Sequence, residues 1–112
     1  SSAASDVYKR QPLRQFTFAK DVAKIIDLIV KYDIKENLNV TVPDNLTIDQ
    51  MARLALKATN SEHLQINYDI TKPNGQYRKD ISAEKLLKIF PNYEFTPYIK
   101  GIEQTYNTLY GQ

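Results

Sequence analysis

Residues 38–70, LNVTVPDNLTIDQMARLALKATNSEHLQINYDI, contain the pattern that decides the predicted fold. The β-branched run LNVTV predicts a short strand, and the alternation of apolar and polar residues in LQINYDI predicts another strand with one face buried. Between them, Thr47 and Gln50 have the spacing of a capping box, which marks the start of a helix. The apolar stripe of that helix comprises Ile48, Met51, Leu54, Ala55 and Ala58.

This strand–helix–strand order predicts a parallel arrangement of the two strands, because βαβ crossovers within one sheet are nearly always right-handed and parallel. Parallel strands are usually covered on both faces. We therefore expect an α/β fold with a small parallel sheet that continues into, or packs against, protein outside this chain.

The flanking sequence predicts one more strand and three more helices, about four helices in all. The run LRQFTF at 13–18 reads as extended, and DVAKIIDLIVKY at 21–32 reads as an amphipathic helix. Ser82 can cap a third helix, which Pro91 ends, and Thr96 with Pro97 can open a fourth. The expected buried faces are Val22, Ile25, Ile26, Ile29 and Val30; Leu86, Leu87, Ile89 and Phe90; and Ile99, Ile102, Tyr106 and Leu109.

The opening residues 1–11, SSAASDVYKRQ, have no apolar periodicity and resemble a translated sequencing-adapter remnant. We assign them to a foreign or disordered leader, with a natural flexible N-terminus as the alternative. Residues 12–112 form the single domain that remains, since a domain typically has roughly 100–150 residues.

Composition excludes several classes of binding partner and metal site. The formal charge of +2 is too small to indicate a nucleic-acid or membrane partner. There is no cysteine, and the one histidine, His63, cannot build a metal site alone. No apolar run has the length of a membrane span and the start has no signal-peptide core, so we expect a cytoplasmic protein.

Three stretches carry a resemblance to a known family: PLRQFTFAKDVA, INYDITKPNGQYRK and FPNYEFTPYIKGIEQTY. From Pro12 to Tyr110 the chain resembles the C-terminal portion of the GDP-L-fucose synthase family, which are extended short-chain dehydrogenase/reductases of the NAD-dependent epimerase/dehydratase group. The Arg-aromatic element is shared with many nucleotide-sugar enzymes, whereas KPNGQYRK is more specific. Asn74 departs from the family's usual aspartate.

The resemblance implies an enzyme that converts GDP-4-keto-6-deoxy-D-mannose to GDP-L-fucose by 3,5-epimerisation and NADPH-dependent reduction. Arg14 and Lys79 match the family residues that contact the substrate's nucleotide diphosphate, and Arg78 and Lys72 are weaker candidates. The resemblance places the Rossmann portion, the catalytic residues and the homodimer contacts elsewhere in the full-length enzyme. We thus expect no catalytic residue and no bound NADPH in this chain alone, which has only three glycines and no glycine-rich turn.

Tyr68 and Lys72 in YDITK have the Tyr-x-x-x-Lys spacing of catalytic pairs in short-chain dehydrogenases. Such pairs lie on a helix, but the alternation here predicts a strand, and Pro73 disfavours helical geometry at Lys72. We interpret the spacing as a coincidence.

Two other interpretations remain open. The chain could be the same portion of another nucleotide-sugar epimerase or dehydratase. Alternatively, its eight tyrosines and scattered lysines could form a stand-alone, non-catalytic nucleotide- or protein-binding module.

Overall fold

The computed structural model describes residues 11–73 and 75–111 of the 112-residue chain. These residues form two very short strands and four helices. In chain order the elements are β1 (Leu13–Arg14), α1 (Ala19–Lys31), β2 (Leu46–Thr47), α2 (Ile48–Ala58), α3 (Glu84–Ile89) and α4 (Tyr98–Tyr110).

The four predicted helices are all present, and the capping box at the start of α2 is confirmed. The Thr47 hydroxyl accepts a hydrogen bond from the Gln50 N–H at 3.0 Å. The Gln50 side-chain oxygen in turn accepts from the Thr47 N–H at 2.8 Å. These two bonds satisfy backbone donors that the first helical turn leaves unpaired, which explains why α2 begins where the sequence predicts.

The predicted parallel sheet is not formed by the described residues. The sheet is two-stranded and antiparallel, with Leu13 opposite Thr47 and Arg14 opposite Leu46. Neither 38–42 nor 64–70 forms a strand. The parallel pairing that does occur is an isolated bridge between Leu13 and Arg78.

Side chains replace the strand pairing that was predicted for 38–42. The Val42 N–H donates to the Thr17 hydroxyl at 3.2 Å, and the Val42 carbonyl accepts from the Gln15 side-chain amide at 2.9 Å. Because both backbone groups of Val42 already have partners, Val42 has no backbone group left for a strand ladder.

Two predicted helix caps differ in detail from the structure. The Ser82 hydroxyl accepts from the Glu84 N–H at 3.2 Å, but Ala83 is the residue that precedes α3. The prediction that Thr96 caps α4 is wrong, since that helix begins at Tyr98, directly after Pro97. Thr96 instead donates both its N–H and its hydroxyl to Asp21, which leaves its oxygen away from the helix end.

The predicted apolar faces are only partly buried. In α1, Ile25 is fully buried, whereas Val30 is 73% exposed and Ile26 is also exposed. In α4, which packs against α2, Leu109 is exposed as well. The fully or nearly buried apolar side chains are Ile25, Val42, Ala83 and Leu86. The apolar faces of α1 and α4 are therefore wider than the described residues cover.

Two assignments made from the sequence involve residues that the structure does not describe. Residues 1–10 of the assigned leader, 1–11, are not described. Its last residue, Gln11, is described: Gln11 is buried, and its side-chain oxygen accepts from the Asp49 N–H. The family departure at Asn74 also lies outside the described residues. None of the helices in 11–73 and 75–111 is both long and apolar enough to cross a membrane.

A candidate anion-binding site beside the first strand

Arg14 lies where the first strand meets the segment that follows the KPNG turn. The Leu13 N–H donates to the Tyr77 carbonyl at 2.7 Å, and Leu13 and Arg78 form the parallel bridge. The Arg14 guanidinium donates through Nη1 to the Leu13 carbonyl at 2.7 Å and reaches the Tyr77 carbonyl at 3.5 Å. One edge of the guanidinium is thus directed to backbone, which orients the group.

Gly75 allows the turn to approach this guanidinium. Its φ of +73° lies in the left-handed region, and an ideal Cβ at this position would be 3.8 Å from the Arg14 Nη2 atom. A glycine adopts this conformation without the steric cost that an L side chain would add. The turn and Arg14 therefore lie side by side.

The structure brings two of the candidate residues from KPNGQYRK to the same place. Arg78 is paired with β1 through its backbone, and Lys79 follows it directly. Lys79 is exposed, and its ammonium makes no hydrogen bond or ion pair with the described residues. Lys72 is also exposed, at a bend before Pro73, and no contact links it to Arg14 within the described chain.

Asp80 neutralises Arg78. Its carboxylate accepts from the Arg78 Nε atom at 3.0 Å and from Nη2 at 2.5 Å. The hydrogen bond from Arg78 lowers the pKa of Asp80, and the hydrogen bond to Asp80 raises the pKa of Arg78. Beside β2, the buried Oδ1 atom of Asn45 has no hydrogen-bond partner among the described residues.

Gln15 holds the framework of this site, and sequence reasoning missed it. Its Nε2 group donates to the carbonyls of Val42 and Ile81, each at 2.9 Å. Its oxygen accepts from the Ile81 N–H at 2.8 Å. One side chain thereby connects the segment after α1 with the end of residues 72–81, which contain KPNGQYRK and are called the basic segment below. No local pattern marks such a residue, because its partners are 27 and 66 residues away.

The arrangement is suited to binding an anion. Arg14 and Lys79 each directly follow a residue of the Leu13–Arg78 bridge. A guanidinium can bridge two phosphate oxygens, while an ammonium acts as a mobile point charge. The described residues include no cluster of three or more His, Asp or Glu side chains that could hold a metal ion.

The buried carboxylates of the molecule are already engaged elsewhere. Asp21 accepts from the Tyr93 hydroxyl at 2.6 Å, the Thr96 N–H at 3.0 Å and the Thr96 hydroxyl at 3.2 Å. Asp49 accepts from the Tyr68 hydroxyl and from the Arg53 Nε atom. Neither carboxylate is free to bind a ligand.

The YDITK spacing does not form a helical pair. Residues 68–72 form neither a strand nor a helix. The predicted strand is therefore wrong, and the helix that a catalytic pair requires is not formed either. Tyr68 is partly buried with its hydroxyl on Asp49, whereas Lys72 is exposed.

An apolar groove of about 400 Å³ lies between α2, α4 and the segment that follows β1. Its walls come from α2, α4 and the segment 16–18, with Phe16, Tyr98, Ile102 and Tyr106 among the lining residues. The groove has no cationic side chain in its lining, which distinguishes it from the Arg14 site.

No family model matches the chain, but individual proteins do. A GDP-L-fucose synthase from Dictyostelium discoideum is 33% identical over 98 residues, which are 85% of this chain and 30% of that protein. A probable GDP-L-fucose synthase from Drosophila melanogaster is 32% identical over 76% of this chain and 27% of its own length. The crystal structure of a GDP-L-fucose synthetase from Naegleria fowleri superposes with a TM-score of 0.75 at 31% identity, over 86% of this chain and 30% of that one.

The sequence and structural comparisons agree. The chain matches the C-terminal part of GDP-L-fucose synthases, as the resemblance predicted, and spans about 30% of the length of the Dictyostelium relative.

Proposed function

We propose that the chain is the substrate-binding part of a GDP-L-fucose synthase, in which Arg14 and Lys79 bind the diphosphate of the GDP-sugar. In such an enzyme the nucleotide is bound here, while 3,5-epimerisation and reduction take place on residues outside this chain. The assignment of Arg14 and Lys79 comes from the family resemblance, and the geometry supports it.

The observation that carries this proposal is the pairing of Leu13 with Tyr77 and Arg78, which are more than sixty residues away in the chain. It brings Arg14 and the Arg78–Lys79 pair to one region, although the sequence separates them. A diphosphate has several anionic oxygens, so a site with cations from two segments can contact more than one of them.

NADPH, the reductant that this proposal implies, does not fit the residues of this chain. A dinucleotide pyrophosphate lies against a glycine-rich turn between a strand and a helix. Gly75 lies in a loop beside Arg14, Gly101 lies within α4 against Phe18, and Gly111 follows α4. None of the three is at a strand-to-helix turn, so the proposal assigns NADPH and the homodimer contacts to other parts of the enzyme.

The test is the affinity of the purified chain for GDP, followed by NMR of the isotope-labelled protein. Arg14→Ala should weaken GDP binding by at least about tenfold, because a charge-assisted hydrogen bond typically contributes about 1.5–3 kcal/mol. Lys79→Ala should weaken it less, and Lys57→Ala, an exposed lysine on α2, is the matched control.

Unchanged binding in Arg14→Ala, or no GDP binding by the unmodified chain, contradicts the proposed site. Titration with UDP and dTDP tests the alternative that the substrate belongs to another nucleotide-sugar epimerase or dehydratase. In the full enzyme, Arg14→Ala should raise KM with little change in kcat, because a diphosphate anchor binds the ground and transition states alike.

A further inference from the structure

Asp80 is the carboxylate of the basic segment. It lies one residue after Lys79 and two after Arg78, and Arg78 is bridged to the strand that carries Arg14. The side chains of Arg78 and Asp80 are 52% and 40% exposed, so solvent and ions reach both. The site therefore combines three cationic side chains with one carboxylate.

The contacts of Asp80 use the edge of the Arg78 guanidinium that could otherwise bind a phosphate. One carboxylate oxygen of Asp80, Oδ2, accepts from both Nε and Nη2 of Arg78. Arg78 is thus occupied by an anion of the protein itself, whereas Arg14 and Lys79 have no carboxylate partner in the described chain.

We propose that Asp80 is an internal counter-ion that holds Arg78 out of the anion site and thereby limits the affinity of the site for phosphate groups. This inference rests on the proposed function, since it specifies which cations of that site remain available to the diphosphate. Removing the charge of Asp80 makes Arg78 available as a third phosphate-binding cation.

Asp80→Asn is the informative substitution, because it removes the charge and keeps the shape of the side chain. The matched control is Asp69→Asn on the same exposed segment. Among the described residues, Asp69 accepts from the N–H and hydroxyl of Thr71 and pairs with no cation, so its substitution makes the same change in net charge without releasing a cation. The binding probes are inorganic pyrophosphate and GDP, with amide NMR spectra to verify that each variant folds like the parent chain.

Asp80→Asn should bind pyrophosphate about threefold more tightly than the parent chain, the effect expected of one solvent-exposed charge interaction. Asp69→Asn should bind like the parent. In an Arg78→Ala background, Asp80→Asn should lose most of its effect, because the cation that it makes available is no longer there. A damaged site would bind more weakly, so a gain in affinity separates this role from a merely structural one.

The inference is overturned if Asp80→Asn binds no more tightly than Asp69→Asn, or if its gain is undiminished in Arg78→Ala. If that gain is observed while Arg14→Ala binds like the parent, the proposed role of Arg14 fails and the counter-ion role stands. If no variant binds either probe, both proposals fail.

Discussion

The helical region and the basic segment use aspartate in opposite ways. Asp21 and Asp49 lie in the first turns of α1 and α2, each is 1% exposed, and each accepts a tyrosine hydroxyl from a distant part of the chain. Asp69 and Asp80 are exposed, and each accepts a hydrogen bond from a side chain only two positions away.

This difference indicates which carboxylates should affect stability and which should affect anion binding. A buried carboxylate must have hydrogen-bond partners, so Asp21 and Asp49 hold segments together and have no capacity left for a ligand. The exposed carboxylates exchange readily with solvent and ions, so they modulate local charge and contribute little to stability. The helical region should therefore be sensitive to the loss of a carboxylate, and the basic segment should show its effects in anion affinity.

The largest effect is expected at Asp21. Asp21→Ala leaves the Tyr93 hydroxyl and the two donors of Thr96 without an acceptor, and should lower the free energy of unfolding by about 3–5 kcal/mol. Urea denaturation followed by circular dichroism measures this. Asp27→Ala, at an exposed position of the same helix, should change it by less than about 0.5 kcal/mol. Similar losses in the two variants would remove the distinction between buried and exposed carboxylates.

A smaller effect is expected from two apolar residues that the sequence places on the same face of α1. Ile25→Ala should cost about 2–4 kcal/mol, since Ile25 is completely buried and its truncation leaves a cavity. Val30→Ala should be nearly neutral in this chain, because 73% of Val30 is exposed and alanine has the higher helix propensity. The same denaturation assay applies. A large loss in Val30→Ala would show that its face is covered, for example by self-association.

The smallest effect concerns the tyrosine that donates to Asp21. Burial, together with the hydrogen bond and the charge of Asp21, raises the pKa of Tyr93 above its ordinary value. An unfolded tyrosine loses its proton near about pH 10, so above that pH the unfolded state is favoured and stability should fall as pH rises. Below it this contribution is fully present.

Tyr93→Phe should lower stability by about 1 kcal/mol at neutral pH through loss of the hydrogen bond, and should flatten the alkaline decline. Denaturation midpoints measured from about pH 7 to about pH 11 test this, with exposed Tyr110→Phe as the control. An unchanged alkaline slope in Tyr93→Phe would assign the decline to other groups.

The sequence names candidate residues for the site but does not show how they are brought together. The family resemblance supplied Arg14 and Lys79 from short motifs. It gave no indication that Asp80 forms an ion pair with Arg78. Nor did it indicate that Gln15 connects Val42 with Ile81, because these contacts depend on how distant segments meet. Asp21 was likewise visible as the first acidic residue of a helix, but its burial depends on Tyr93 and Thr96, more than seventy residues further along.

The sequence by itself determined the features that depend on neighbours within a few residues. The start of α2 follows from Thr47 and Gln50, and α3 ends before Pro91, because capping and helix termination are local. Tertiary structure alone decided which strands pair and which part of each apolar stripe is buried. Alternation in 64–70 is compatible with a strand but does not specify a partner, and without one the segment forms none.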